Sequence, residues 1–251
     1  MDELALAVGA IGLVAGVMIG CVGVGGVIVV PALVYGLGLR IQDAIASAMM
    51  GYILTGLIGT AVYARAGSIR WSLAGWIAVG AAPGALAGAW ASNGVDPRLL
   101  ELLVGALALW SGANSLFGRR QLGERERPLR PLELAAVGAL TGVLSAMTGT
   151  GGPLVLVPIL ISLRLPPLAA VGLSQAAQIP IAALATVGNF AYGEPDVSIG
   201  LVLGLSLAAG TWGGAKLAHA LSREALGRVA STLLVVVGVL ILTRLGLRQF
   251  A

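Results

Sequence analysis

Charged residues in this chain fall in short clusters separated by long apolar stretches. From Leu4 to Leu39, and again from Leu134 to Leu163, there is no Asp, Glu, Lys or Arg. Both stretches exceed the roughly 20 residues that a helix needs to cross a bilayer. The same pattern predicts further spans near Ala44–Ala64, Trp71–Ala91 and Leu99–Phe117, then near Leu168–Tyr192, Val197–Ala215 and Leu226–Leu242. Glycines interrupt each long stretch, at Gly23-Val24-Gly25-Gly26 and at Gly149-Thr150-Gly151-Gly152, and each cluster is followed by apolar residues and a proline, Pro31 or Pro158. An unpaired backbone amide costs several kcal/mol in hydrocarbon, so such a break is tolerated only where protein buries it or a wet cavity meets it. The pattern predicts an all-α integral membrane protein.

The chain carries this arrangement twice. An offset of 126 residues pairs Gly12 with Gly138, Gly16 with Gly142, and Gly23, Gly25 and Gly26 with Gly149, Gly151 and Gly152. One extra residue in the second copy then pairs Pro31 with Pro158 and Ser47 with Ser174. The offset returns to 126 at Gly67/Gly193, Ser72/Ser198, Gly84/Gly210, Gly88/Gly214 and Gly112/Gly238. A duplicated unit accounts for matches that hold register over so long a stretch. Residues 1–117 are the expected first repeat and residues 132–251 the second. The charged stretch 118–131, which holds Arg119, Arg120, Arg125, Arg127 and Arg130, is the expected cytoplasmic linker. Small residues recur one helical turn apart at Gly12, Gly16 and Gly20, at Gly138, Gly142 and Ala146, at Gly80, Gly84 and Gly88, and at Ser206, Gly210 and Gly214. Such faces let membrane helices pack closely, which is their expected role.

Basic residues bear on topology. If each broken segment is a hairpin entering and leaving on one side, eleven of the fifteen Lys and Arg residues share a side, and only Arg40, Arg98, Arg244 and Arg248 lie opposite. Full crossings would divide them nine to six. The positive-inside rule favours the hairpins, which make the halves two inverted repeats, each a broken or hairpin helix followed by three transmembrane helices, seven to eight spans by usual counting. Both termini are then expected outside and the linker inside. Met1, Asp2 and Glu3 lack the basic start of a signal peptide, so the first apolar run is expected to be retained.

Composition agrees: 58% of residues are hydrophobic and 10% charged, against about 25% charged in soluble proteins. The net charge of +4 and a pI near 9.8 would suggest nucleic acid in a soluble chain; here they reflect basic loops, and no nucleic-acid partner is expected. A single cysteine, Cys21, excludes an internal disulfide framework and a thiolate metal cluster. No Asp or Glu falls near the middle of a span, since Glu101 and Glu133 lie close to ends, which argues against a carboxylate-based cation site and a hydrolase. Lys216 and His219 read as snorkelling or loop residues. The intramembrane polar groups are instead uncharged: Ser47, Tyr52, Tyr63, Thr148, Thr150, Ser174, Gln175, Gln178 and Asn189. Pro180 is expected to break its helix beside Gln178. Helices starting near Gly25 and Gly151 would aim unpaired N–H groups and positive dipole ends at the breaks, making an anion site without a fixed positive charge.

At these residues the chain resembles the TauE/SafE family of sulfite exporters, also grouped with toluenesulfonate uptake permeases. The likeness covers almost the whole chain. It rests on the two Gly-x-Gly-Gly clusters with their prolines, the Ser47 and Ser174 segments, Gly67 and Gly193, and the Gly84/Gly88 and Gly210/Gly214 pairs. It implies a secondary transporter of sulfite or small organosulfur anions in the bacterial plasma membrane. The expected substrate contacts are Gly23, Gly25, Gly26, Ser47, Thr148, Thr150, Gly151, Gly152, Ser174, Gln175 and Gln178. No catalytic residue, metal or cofactor is expected. The expected partners are a small anion and the lipid bilayer, with a homodimer compatible with this reading. A passive anion channel is the alternative, and a membrane-embedded enzyme a more distant one.

Overall fold

The computed structural model describes residues 2–117, 129–192, 196–220 and 223–247. Among these residues every regular element is helical. The order is α1 (Asp2–Val22), α2 (Gly26–Pro31) continuing through a π-helical turn (Ala32–Gly36), α3 (Ile41–Arg65), α4 (Trp71–Gly94) and α5 (Pro97–Phe117). It then repeats with α6 (Pro131–Thr148), α7 (Pro153–Ser162), α8 (Pro167–Tyr192), α9 (Val197–Ala220) and α10 (Arg223–Leu247). Twice, then, a long helix, a glycine break and a short helix precede three long helices. Six of the described helices, α1, α3, α4, α6, α8 and α9, are long and apolar enough to cross a membrane. The expected linker lies outside the described residues except for Leu129, Arg130 and Pro131. There Pro131 opens α6, and Glu133 closes a capping box on Arg130.

Packing between the halves is reciprocal. The first helix of each half lies along the fourth helix of the other, α1 on α9 and α6 on α4. These seams are made by the small-residue faces. A Cβ at Gly16 would stand on the carbonyl oxygen of Leu207, and one at Gly20 on that of Thr211; Gly210 and Gly214 face Leu13 and Val17 in return. On the other seam Gly80, Gly84 and Gly88 lie on the backbone of Ala135, Ala139 and Val143, while Gly138 and Gly142 lie on Ile77 and Ala81. Helices that close bring carbonyls within reach of side chains across the seam. Thr211 Oγ1 donates to Gly16 O at 3.2 Å, and Cys21 Sγ donates to Gly214 O at 3.0 Å. The long helices α3 and α8 cross each other at the centre and pack outward on α9 and α4, and α5 pairs with α10.

The expected interruption of α8 at Pro180 does not occur: the helix runs from Pro167 to Tyr192. A proline removes one N–H and crowds the preceding turn. The tight packing of α8 against both α3 and α4 holds the axis continuous through it. Pro83 is carried inside α4 in the same way.

Candidate functional site

Both long apolar stretches are interrupted where the glycines stand. Gly23, Gly149, Gly151 and Gly152 adopt φ of +81°, +66°, +74° and +81°, a left-handed region that side chains with a Cβ rarely enter. In the first break the chain also reverses. Gly25 lies against the carbonyl oxygen of Ala15, ten residues earlier, which is possible only if α2 folds back beside α1. In the second, the N–H groups of Gly149 and Thr150 both turn back to Ser145 O, at 2.9 and 3.3 Å, closing the end of α6.

The two breaks meet. A Cβ on Gly26 would collide with the backbone oxygen of Thr150, and one on Gly149 with Val30 and Ile45. Tyr52 joins them: its ring lies against Gly151 while its hydroxyl donates to Gly26 O at 3.0 Å. Gln178 closes the other side, its backbone near Gly152 and its amide donating to Tyr52 O at 3.2 Å. Tyr52 is residue 12 of the 25 in α3, counting from Ile41, and Gln178 is residue 12 of the 26 in α8, counting from Pro167. The junction therefore lies at the midpoints of the two longest central helices. No side chain caps the N-terminus of α2 or of α7.

The remaining expected site residues divide by what their polar atoms do. Thr148 Oγ1 donates to Leu144 O at 2.6 Å and lies 2.9 Å from Thr150 Oγ1. Since its one proton goes to Leu144, Thr150 is the donor in the threonine pair. Both hydroxyl protons are thus engaged within the break. Ser174 donates to Ala170 O in its own helix, at 2.7 Å. Its repeat mate Ser47 is buried with its hydroxyl unpaired. Gln175 donates to Ile19 O at 3.1 Å, and Tyr63 donates to Gly20 O at 2.9 Å. These two cap the open carbonyl end of α1, a structural duty that helix termini need. Gln175 and Gln178 each bury an Oε1 with no partner. Reversing either amide would set that oxygen against a carbonyl, so the network fixes the assignment. Gly23 faces Pro153 and Val157 of α7. Among the described residues no cluster of His, Cys, Asp or Glu could hold a metal.

Two further groups meet at the periphery. Glu101, one turn into α5, is only 8% exposed and accepts from Tyr35 OH at 2.7 Å. Arg244 lies over the Tyr35 ring, 4.3 Å from its centroid. The spacing of these residues along the chain, 66 and 143 positions apart, gave no sign that they meet. Lys216 lies with its Nζ 3.6 Å from the Trp212 ring centroid, one turn back along α9, and the side chain of His219 lies outside the described residues.

The sequence from residue 8 to residue 241 matches the family described as sulfite exporter TauE/SafE. The chain belongs to that family. TauE/SafE proteins are membrane transporters, and the multi-pass helical bundle with its central glycine breaks is the fold such a protein presents here. Comparison with curated proteins and with solved structures gives no match.

Proposed function

We propose that the protein is a secondary transporter of small sulfur-containing anions, sulfite, thiosulfate or an organosulfonate such as sulfoacetate, held between the two glycine breaks and moved by alternating access. The observation that carries this is the contact of Gly26 with the Thr150 backbone at the midpoints of α3 and α8. Two helix starts without side-chain caps converge there, and such ends favour an anion through their dipole and the first-turn N–H groups that Pro153 and the bonds to Gly25 O and Gly152 O leave over. Gln178 offers a second amide proton, and Thr150 can turn its hydroxyl from Thr148 to the substrate. Gln175 and Ser174 support this pocket from behind, one through the end of α1 and the other within α8. The reciprocal seams interlock the halves and sort the central helices into two bodies, α1, α3 and α9 on one side and α4, α6 and α8 on the other, which meet along α3 and α8 and would rock there in alternating access.

Reconstituted flux tests this reading. Gln178→Leu keeps the volume of the side chain and removes its amide, so sulfite flux in liposomes should fall at least about tenfold, the loss of one good hydrogen bond. Thermal unfolding in detergent should show a loss of no more than about 1 kcal/mol, from the bond to Tyr52 O, so that the protein stays folded. Full flux in Gln178→Leu with intact protein would refute the placement. A thermal-shift series with sulfite, thiosulfate, sulfoacetate and sulfate then names the substrate, because a ligand that binds only the folded state raises its stability by mass action.

A further inference from the structure

Away from the glycine breaks, a cavity of about 550 Å³ opens between the α2 arm and α10. Its walls are aliphatic, from Ile28, Pro31 and Ala32 on one side to Val237, Leu240 and Leu247 on the other. Leu240 and Leu247 are 61% and 72% exposed, so the groove faces outward, where a membrane-spanning helix meets hydrocarbon. One cation stands at its end. Arg244, in the last turn of α10, lies over the Tyr35 ring, and Tyr35 is in turn fixed by its hydrogen bond to Glu101. A guanidinium held over a ring by cation–π attraction uses none of its N–H donors on the ring's edge atoms, so donors remain for an acceptor. The residues lining the groove include no carboxylate.

We propose that this groove binds an anionic phospholipid, with one acyl chain along the α2–α10 walls and the phosphate on Arg244. Both halves of the groove's chemistry require an amphiphile. A small hydrophilic anion would answer the arginine but would lose its water against aliphatic walls without return. A hydrocarbon tail alone would fill the walls and leave the pre-positioned guanidinium unmatched. A zwitterionic headgroup would bring an ammonium beside the Arg244 cation, where the nearest carboxylate, Glu101, is buried and already accepts from Tyr35 OH. Arginine near the end of a span stands at headgroup depth, where anionic lipids are attracted by about 1 kcal/mol per basic residue. The wall formed by α2 leads directly to Gly26, so the lipid braces the arm that carries the first break.

Native mass spectrometry of the full chain, exchanged from detergent into mixed micelles of phosphatidylglycerol and phosphatidylcholine, tests this. Phosphatidylglycerol should be retained in preference, and Arg244→Gln should lower that preference about fivefold. Arg98→Gln, one turn before Glu101 and exposed, should leave it unchanged. Leu240→Trp, which fills the groove, should reduce retention of both lipids. Equal retention of the two lipids by the unaltered chain overturns the proposal. So does an Arg98→Gln loss as large as that of Arg244→Gln, or displacement of the lipid by inorganic phosphate alone. The readout is lipid binding and not flux, so it is independent of the transport reading.

Discussion

Tyr52 shows how much one side chain can organise. Its ring fills the space that Gly151 leaves, its hydroxyl satisfies Gly26 O, and its own carbonyl receives the Gln178 amide. Tyr52→Phe keeps the ring and strands a buried carbonyl. The expected cost is about 1 kcal/mol, in the range of intramembrane hydrogen bonds, read as unfolding in mixed detergent and SDS micelles. In the sequence Tyr52 is one polar residue among several in an apolar helix. Nothing in its neighbours announces that two glycine breaks, a hundred residues apart, will close on it. The glycines themselves were legible, because a left-handed φ and a close backbone approach both need the absence of a Cβ, and that need is local. The roles of the serines, threonines and glutamines were not. Whether Ser174 serves its own helix or Gln175 caps α1 depends on which carbonyl the fold brings within 3 Å.

At the scale of helices, the seams divide glycines of similarly apolar sequence setting into two kinds. On α1, Gly16 lies on Leu207 O, whereas a Cβ at Gly9 would meet nothing within 4 Å. Gly16→Leu should therefore destabilise by at least about 1–3 kcal/mol, through overpacking against a backbone that cannot yield. Gly9→Leu should be neutral or slightly stabilising, since it only replaces a poor helix former. Thermal unfolding in detergent separates the two variants, and equal losses would show that the α1–α9 seam is not where it is described. The same contrast holds on α4 between Gly84, against Ala139, and Gly75, which faces open space. Spacing of four identifies a face of small residues, and so the face was readable. Its partner was not, since any other small face could have received it. The π-helical turn at 32–36 and the cluster of Tyr35, Glu101 and Arg244 left no trace in periodicity for the same reason.

For the whole molecule, what is at issue is motion and sidedness. If the body of α1, α3 and α9 rocks against that of α4, α6 and α8, substrate on the far side should speed exchange. Labelled sulfite should then enter liposomes faster when unlabelled sulfite is preloaded inside, as a carrier requires. A passive channel would show no such counterflow. Sidedness follows the basic residues: cysteines placed in the linker 118–131 should react from the cytoplasmic side, and cysteines at the C-terminus from the other. Reaction of both from one side would remove the hairpin arrangement, and with it the inversion of the repeats.

Length, apolarity and the doubled glycine pattern were enough to determine that the chain is a helical membrane protein with two interrupted segments at matching places, and the likeness of its motifs to a known family pointed to TauE/SafE. These properties act residue by residue, through transfer of side chains into hydrocarbon and through the backbone angles that only glycine takes freely. The tertiary structure alone decided that the interruptions touch at the midpoints of α3 and α8, and which hydroxyls and amides are already spent on carbonyls. It alone brought an arginine, a tyrosine and a glutamate together beside a lipid-facing groove. Hydrogen bonds and close packing are pairwise and short in range, so their partners exist only once distant helices have been laid against one another.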